Sequence, residues 1–320
     1  EANVKNRVGS GVYAYNLLEE FSKTRNHQFK VFLKEKPLSD LPKESANFKY
    51  RFFGPKKLWT QFALPANLTF GPKINIFFTL SHYGPRFSKI PYAITIFDLS
   101  YLHFPEMFKK DDLYQLTNWS MYSILKSKHI FTISNSSKED IIKNYHVNPG
   151  KITVTYPGYD QKRFKPQSDS AIQKVKNKYK IKGDYIIFVG TLQPRKNIEH
   201  LIEAFVKLTH HSSLTRPEQS RGITHHYRLV IVGRKGWLYD SIFAKVKQLR
   251  LEDKVIFTDL VPEEDLPVLL SGAKAYVLPS LWEGFGIPVI EAQACDVPVV
   301  VSNVSSLPEV VGDSGILVNP

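Results

Sequence analysis

Two α/β domains built on parallel sheets are the fold class that this sequence predicts, and three observations predict it. Short apolar runs of strand length alternate with helix-period segments along the chain. Two of those runs end in glycine-bearing polar loops that open helices, at Gly190 and at Gly284-Phe285-Gly286. The 320 residues suffice for two cores.

In the first half, strands are expected at Phe29–Leu33, Ile74–Phe78, Tyr92–Phe97 and His129–Ser134, and helices at Val12–Ser22, Asp111–Lys126 and Ser136–Tyr145. Tyr156-Pro157-Gly158 and the polar stretch Asp160 to Ser170 read as the connection between domains, giving domains 1–158 and 159–320. In the second half, strands are expected at Tyr185–Val189, Arg228–Val232, Val255–Thr258, Ala275–Leu278 and Val299–Ser302, with helices at Ile198–Leu208 and Leu238–Leu249. The stretch Thr209 to His226 is long for a helix-to-strand connection and carries two His-His pairs. It lacks the acidic or cysteine companions of a metal site and reads as a solvated insertion.

Composition narrows the classes. Apolar residues make up 42% and charged residues 23%, the balance of a water-soluble globular chain. No apolar run approaches the ~20 residues of a membrane span, and the chain opens with neither a methionine nor a signal-like segment. The single cysteine, Cys295, lies in an apolar helical stretch and reads as a buried thiol, not a nucleophile. The net charge of +13 is lopsided, with 22 basic and 12 acidic residues in 1–158. An anionic membrane surface or plain solubility accounts for that half; nucleic acid does not, because no binding module is visible.

Two stretches carry chemistry. Tyr185-Ile-Ile-Phe-Val-Gly-Thr-Leu-Gln-Pro-Arg-Lys-Asn197 runs from a strand through Gly190 and Thr191 to Arg195 and Lys196 at a helix start. Arginine offers phosphate a bidentate fork and lysine a point charge. Ser280-Leu-Trp-Glu-Gly-Phe-Gly-Ile-Pro-Val-Ile-Glu-Ala292 places Glu283 in a loop at a strand's C-terminal end and Glu291 about a turn into the next helix, which has Pro288 near its start. Glycine amides at a helix start suit phosphate and carboxylates suit sugar hydroxyls, which together fit a nucleotide-sugar site. A lone pair of glutamates at this spacing would be surface charge; the strand–glycine–helix context, repeated twice, argues otherwise.

These residues resemble the glycosyltransferases of family 4. Phe188 to Asn197 is similar to the family's pyrophosphate loop, Glu283 to Glu291 to its E-x7-E signature, and Pro298–Ser302 and Leu307–Gly315 to the segments after it. Arg7-Val-Gly-Ser-Gly-Val-Tyr13 is similar to the glycine loop of the acceptor domain, and Ser134–Ile141 with Lys151–Gly158 to the approach to the hinge. The resemblance covers most of the chain and implies the GT-B fold, two Rossmann-like domains facing each other across a cleft. It also implies retaining transfer from a nucleotide diphosphate sugar without a metal or cofactor. Arg195, Lys196 and Glu283 would be catalytic. Gly9, Gly11, Gly190, Thr191, Gly284, Phe285, Gly286 and Glu291 would bind the donor, and Asp98 and His103 would lie on the acceptor side. The Gly-Thr-Leu-x-Pro-Arg-Lys-Asn form resembles a subgroup with mannosyltransferases of surface polysaccharide assembly, which favours GDP-mannose and leaves UDP-sugars and dTDP-rhamnose open. The acceptor implied is a lipid-linked or growing glycan, and the expected location is cytoplasmic, with peripheral contact at an anionic membrane face.

Three positions depart from the family pattern. Thr191 stands where many relatives carry a second arginine, Phe97 where many carry histidine before Asp98, and Asp296 where a glycine is customary. The chain also begins almost at the glycine loop and stops at Pro320, ahead of the family's terminal helices, so an open sheet edge is expected in the first domain. Phe97 motivates an alternative, a catalytically weak nucleotide-sugar-binding homologue or partner subunit. A nicotinamide-dependent enzyme would need a G-x-G-x-x-G turn with a ribose-binding acid, which is missing.

Overall fold

A computed structural model describes residues 2–5, 7, 9–211 and 227–320. The chain divides into two compact units, Glu1–Pro157 and Gly158–Pro320. The polar insertion expected between residues 209 and 226 lies, from residue 212 on, outside the described residues.

Among its described residues the first unit holds six strands: β1 (Phe29–Leu33), β2 (Phe48–Phe52), β3 (Phe77–Thr79), β4 (Tyr92–Ile96), β5 (His129–Thr132) and β6 (Ile152–Val154). Its α-helices are α1 (Ser10–Lys23), α2 (Ala63–Phe70), α3 (Ser100–His103), α4 (Lys110–Lys126) and α5 (Asn135–Tyr145). All pairings are parallel, but the strands fall into two sheets, β1-β2 and β3-β4-β5-β6. Ring contacts join them: Phe32 meets Phe77 at 6.3 Å between centroids, and Phe21 of α1 meets both Phe29 and Phe78. The buried side chains of this unit accordingly form separate clusters around β4 and β5, around α1 and β2, and around Trp59 and α2.

The strand expected at Ile74–Phe78 is shifted to Phe77–Thr79 for a physical reason. Phe77 donates its N–H to the Pro91 carbonyl at 3.0 Å, and Pro91 has no N–H with which to carry the ladder further back. The expected strand at Tyr92–Phe97 ends one residue earlier, and that at His129–Ser134 ends at Thr132, where Ser134 turns away to cap α5. Its hydroxyl accepts from the Ser137 N–H at 3.0 Å, the interaction that a serine supplies to an otherwise unpaired first-turn amide.

The second unit carries β7 (Tyr185–Val189), β8 (Arg228–Val232), β9 (Val255–Asp259), β10 (Ala275–Leu278), β11 (Val299–Ser302) and β12 (Gly315–Val318). Its helices are α6 (Asp169–Lys178), α7 (Ile198–His211), α8 (Asp240–Gln248), α9 (Asp265–Ser271), α10 (Ile287–Ala294) and α11 (Leu307–Val311). The sheet is parallel, in the order β12-β11-β10-β7-β8-β9, with one contiguous core. The chain's first strand in this unit, β7, thus lies beside its fourth, β10. At that point the connections turn in opposite directions, and a crevice opens beyond the strand ends.

Two backbone positions test how tightly the unit is drawn. Gly233, at φ 149°, lies so close to the β7 loop that an added Cβ would stand 1.9 Å from the Gly190 carbonyl oxygen. Asp296, where glycine was expected, does sit in the left-handed region at φ 57°. Opposite effects follow. Gly233→Ala is expected to destabilise the protein by about 3 kcal/mol through backbone displacement, whereas Asp296→Gly should raise stability by about 0.5 kcal/mol by removing left-handed strain. Denaturant unfolding of the two variants checks both signs.

Candidate nucleotide-sugar site at the sheet switch point

The loops that follow β7 and β10 meet at the switch point. After β7 the chain passes Gly190 and Thr191, makes a single 3-10 turn at Pro194–Lys196, and enters α7 through Asn197, a left-handed residue at φ 56°. After β10 it passes Ser280 and Glu283 and turns at Gly286, whose φ of 98° no β-carbon would suit and which stands at the start of α10. An added Cβ at Gly286 would also meet Leu307 at 2.9 Å. Pro288 falls in the first turn of α10 and Glu291 half-way along it.

Glu283 is the centre of the arrangement. It is only 7% exposed. One carboxylate oxygen accepts from Lys196 Nζ and from Ser280 Oγ, the latter at 2.6 Å; the other lies 3.5 Å from Arg195 Nη1. Arg195 also donates to the Trp282 carbonyl, and its own carbonyl accepts from Leu281 N–H at 2.9 Å. The backbone of Glu283 is held too: its N–H donates to Ser305 Oγ at 2.9 Å, and its carbonyl accepts from Ser306 Oγ at 2.9 Å. Burial alone would push the carboxyl up, but Lys196 and Arg195 outweigh it and hold the group below the usual glutamate range.

Glu291 has the opposite environment. It is partly buried with no cation in hydrogen-bonding reach among the described residues, and burial pushes its carboxyl up to about 7, against a weaker opposing pull from Arg163. Beneath both glutamates lies Tyr276 of β10, fully buried, its hydroxyl raised well above the usual tyrosine value by burial and then by Glu283 and Glu291. That hydroxyl, Gln193 Oε1, Asn197 Nδ2, Arg195 Nε and Ser302 Oγ are buried without a hydrogen-bond partner among the described residues. Several unsatisfied polar atoms around one crevice are the mark of a site shaped for a polar ligand.

Arg195, Lys196 and Glu283 are therefore brought into direct contact, with Gly190 and Thr191 on one adjoining loop and Gly284, Phe285 and Gly286 on the other. Ser280, Ser305, Ser306, Gln193 and Tyr276 were not singled out in the sequence. Only Ser280, three residues from Glu283, offered a local signal. The β8 loop, Gly233-Arg-Lys-Gly236, also went unremarked, although Gly236 N–H donates to the Leu192 carbonyl at 2.9 Å and braces the β7 loop.

The remaining expected residues belong to the first unit. Gly9, at φ 49°, precedes α1, and Gly11 is buried within it. Tyr13 of α1 meets Phe97 edge-on at 5.4 Å, so the glycine loop adjoins the C-terminal end of β4. Phe97 stacks on His82, which accepts its N–H at Nε2 across 3.2 Å. Asp98 accepts from the Ser100 N–H at 2.8 Å, and His103 Nε2 lies 2.9 Å from both carboxylate oxygens of Asp140. Among the described residues no group of three or more His, Cys, Asp or Glu could hold a metal ion, and no helix is long and apolar enough to cross a membrane.

The Glu283 cluster makes a stability prediction. Removing the charge takes the Glu283 carboxylate away from two nearly buried cations, so Glu283→Gln is expected to cost about 3–5 kcal/mol. Because the folded carboxyl titrates below its unfolded value, this contribution is present above the usual glutamate range and is lost as pH falls from that range through the lower folded value. Urea unfolding of wild type and variant, at neutral pH and again near pH 3, should show the gap narrowing.

The family described as "Glycosyltransferase Family 4" matches residues 8–163, and that described as "Glycosyl transferases group 1" matches residues 169–320. The chain is 34% identical over 244 residues to O-antigen chain mannosyltransferase B of Escherichia coli, an alignment covering 75% of this chain and 61% of that protein. It is 33% identical over 229 residues to O-antigen chain mannosyltransferase RfbU of Salmonella typhimurium, covering 71% of this chain and 56% of that protein. The chain thus spans about three fifths of the length of the curated relatives it matches. Among solved structures, Anabaena HepE in complex with UDP and glucose superposes with a TM-score of 0.72 at 18% identity, over 98% of this chain and 83% of that one. The fold is GT-B, and the chain belongs to the family 4 glycosyltransferases, the glycosyl transferases group 1.

Proposed function

We propose that this protein transfers a hexose, mannose in preference, from a nucleotide diphosphate sugar to a lipid-linked or growing glycan. The observation that carries the reading is the contact of Arg195 and Lys196 with Glu283 across the β7–β10 switch point. Similarity to O-antigen mannosyltransferases favours GDP-mannose over a UDP-sugar. In this reading the diphosphate lies on the amides of the Gly284–Gly286 turn and the Gly190–Thr191 loop. Arg195 and Lys196 neutralise the charge that grows on it as the glycosidic bond breaks. Those two cations fill the part that a divalent ion plays in other transferases, so activity is expected to survive a chelator. Glu283 accepts from the donor sugar's hydroxyls and Glu291 from the ribose, with the anomeric configuration retained. Gly9 and Gly11 of the first unit would contribute to donor binding, and Asp98 and His103 to acceptor binding.

The first unit also offers a means of reaching a membrane-bound acceptor. It holds +10 of the chain's formal charge through residue 158. Along one stretch it exposes Phe52, Leu58, Phe62, Phe70 (88% exposed) and Ile76 beside Lys56, Lys57 and Lys73. Exposed aromatic rings among lysines suit peripheral docking on anionic lipid. Phe62→Ser with Phe70→Ser should then reduce flotation with phosphatidylglycerol vesicles and leave donor binding intact.

The donor reading is tested by saturation-transfer NMR with GDP-mannose, UDP-glucose and NAD. GDP-mannose contact is expected in wild type and lost in Lys196→Ala and Glu291→Gln. Contact with NAD alone, or contact indifferent to both substitutions, sinks the assignment. Glu291 adds a pH signature. Its folded carboxyl titrates above the unfolded value, so the native state keeps a proton that the unfolded chain has released, and ionising it costs stability as pH rises from about 4.5 to about 7. Glu291→Gln should therefore gain about 2 kcal/mol of stability at pH 8 while losing the donor. Wild-type donor affinity should rise as pH passes 7.

A further inference from the structure

At the end of the first unit's larger sheet opposite Phe97 and Asp98, a hollow of about 350 Å³ opens at the start of β4. It is lined by Pro85, Ser88, Lys89, Ile90, Pro91 and Tyr92 on one side and by Tyr122, Lys126 and Lys128 on the other. Three of these nine residues are lysines and none is a carboxylate, and none of the three lysines forms an ion pair among the described residues. A fourth cation, Arg86, lies over the Tyr122 ring at 5.1 Å.

The walls are built rather than incidental. Gly84 N–H donates to Ser123 Oγ of α4 at 2.8 Å, which fixes the loop to the helix. Gly84 is also obligatory there, since an added Cβ would stand 2.3 Å from the Tyr92 ring. Ser88 Oγ accepts from the Ile90 N–H at 3.2 Å, which orders the turn before β4, and Lys128 N–H donates to the Tyr92 carbonyl at 2.8 Å, which ties the other rim to β4. A lysine in the last turn of α4 could be present simply to offset the helix dipole. Lys151 already fills that part, donating Nζ to the carbonyls of Ile124 and Leu125. Lys89, Lys126 and Lys128 are therefore cations beyond what the helix end needs.

The unsatisfied groups name the missing partner. Tyr92 is only 5% exposed, and its hydroxyl has no hydrogen-bond partner among the described residues; neither has Arg86 Nε. Burial pushes the Tyr92 hydroxyl up to about 12, so it stays protonated and able to donate. Donors without acceptors, in a cationic hollow without a carboxylate, call for an anionic ligand rich in acceptor oxygens. We propose that this hollow is an accessory phosphate-binding site of the first unit, taking a phosphate or pyrophosphate group on Lys89, Lys126 and Lys128 with Tyr92 as a donor. It is separate from the β7–β10 crevice, lies in the other unit, and does not depend on the function proposed for that crevice. The phosphate can belong to a soluble ion or to a lipid headgroup.

Site-resolved titration decides the matter. Inorganic pyrophosphate is added to the 15N-labelled chain while the amides of Ile90 and Lys128 report on the hollow and those of Gly190 and Gly284 on the crevice. Saturable shifts at Ile90 and Lys128 are expected. Lys126→Ala with Lys128→Ala should weaken them by about a hundredfold, from two charge-assisted contacts at about tenfold each. The same variant should leave the Gly190 and Gly284 response unchanged, whereas Lys196→Ala should do the reverse. Tyr92→Phe should bind about fivefold more weakly yet unfold at no lower a denaturant concentration, because it deletes a donor that the fold does not use. Ile90 and Lys128 amides that stay still in wild type, or that move alike in the double variant, overturn the proposal. Flotation with phosphatidylcholine vesicles, with and without phosphatidylglycerol, then separates the sources. Loss of anionic-vesicle binding in the double variant identifies a headgroup, and unchanged flotation alongside lost pyrophosphate binding identifies a soluble phosphate.

Discussion

The second unit depends on one buried carboxylate. Glu283 gathers Lys196, Arg195 and Ser280 around its oxygens while Ser305 and Ser306 hold its backbone, so the loops after β7, β10 and β11 are fixed through a single residue. Taking such a cluster out of water costs several kcal/mol, and apolar packing would have stabilised the same space more cheaply. What the ions supply is geometry. They hold two cations and two glycine turns in one register at the strand ends, which a hydrophobic contact would leave free to slide. The sheet order makes this possible, since β7 and β10 are neighbours in space though far apart in the chain.

The two units are built to different standards of continuity. The second has one core running from Phe164 to Val311, to which each of the strands β7, β8, β10 and β11 contributes buried side chains. The first divides its apolar side chains among separate clusters bridged by aromatic rings such as Phe32, Phe77, Phe21 and Phe78. Rings span gaps that aliphatic chains cannot, and their edge-to-face contacts add modest energy beyond area burial. The phenylalanine-rich composition of the first half, legible from the start, has this structural use.

How far the sequence could be read follows from the range of the forces involved. Tyr185–Val189, Arg228–Val232, Ala275–Leu278 and Val299–Ser302 were legible to the residue, because a parallel strand buried on both faces is a continuous β-branched and aromatic run. The strands at Phe48–Phe52, Ile152–Val154 and Gly315–Val318 were missed; each lies at a sheet edge, where short length and, in the first, alternating Lys49 and Arg51 dilute the pattern. Helix α2 was hidden by Pro65, which is tolerated only because it falls in the first turn. In the crevice, Arg195, Lys196, Glu283 and Glu291 were readable from local spacing. The pairing of Lys196 with Glu283 was not, because the two are 87 residues apart and only the strand order brings them together. Nor was the contrast between the two glutamates, which arises wholly from neighbours distant in sequence: cations beside one, burial around the other.

The pairing of Lys196 with Glu283 also bears on the traffic of ligands through the crevice. The lysine is already neutralised, so an anion arriving there enters by exchange with a resident counter-ion, and the net attraction is smaller than that of a bare ammonium group. The same carboxylate stands ready to recapture the lysine when the anion leaves, which lowers the barrier to departure. A site wired in this way gives up tightness of hold for speed of clearance, and under the function proposed above that trade would favour repeated turnover, since a lingering diphosphate would block the next donor.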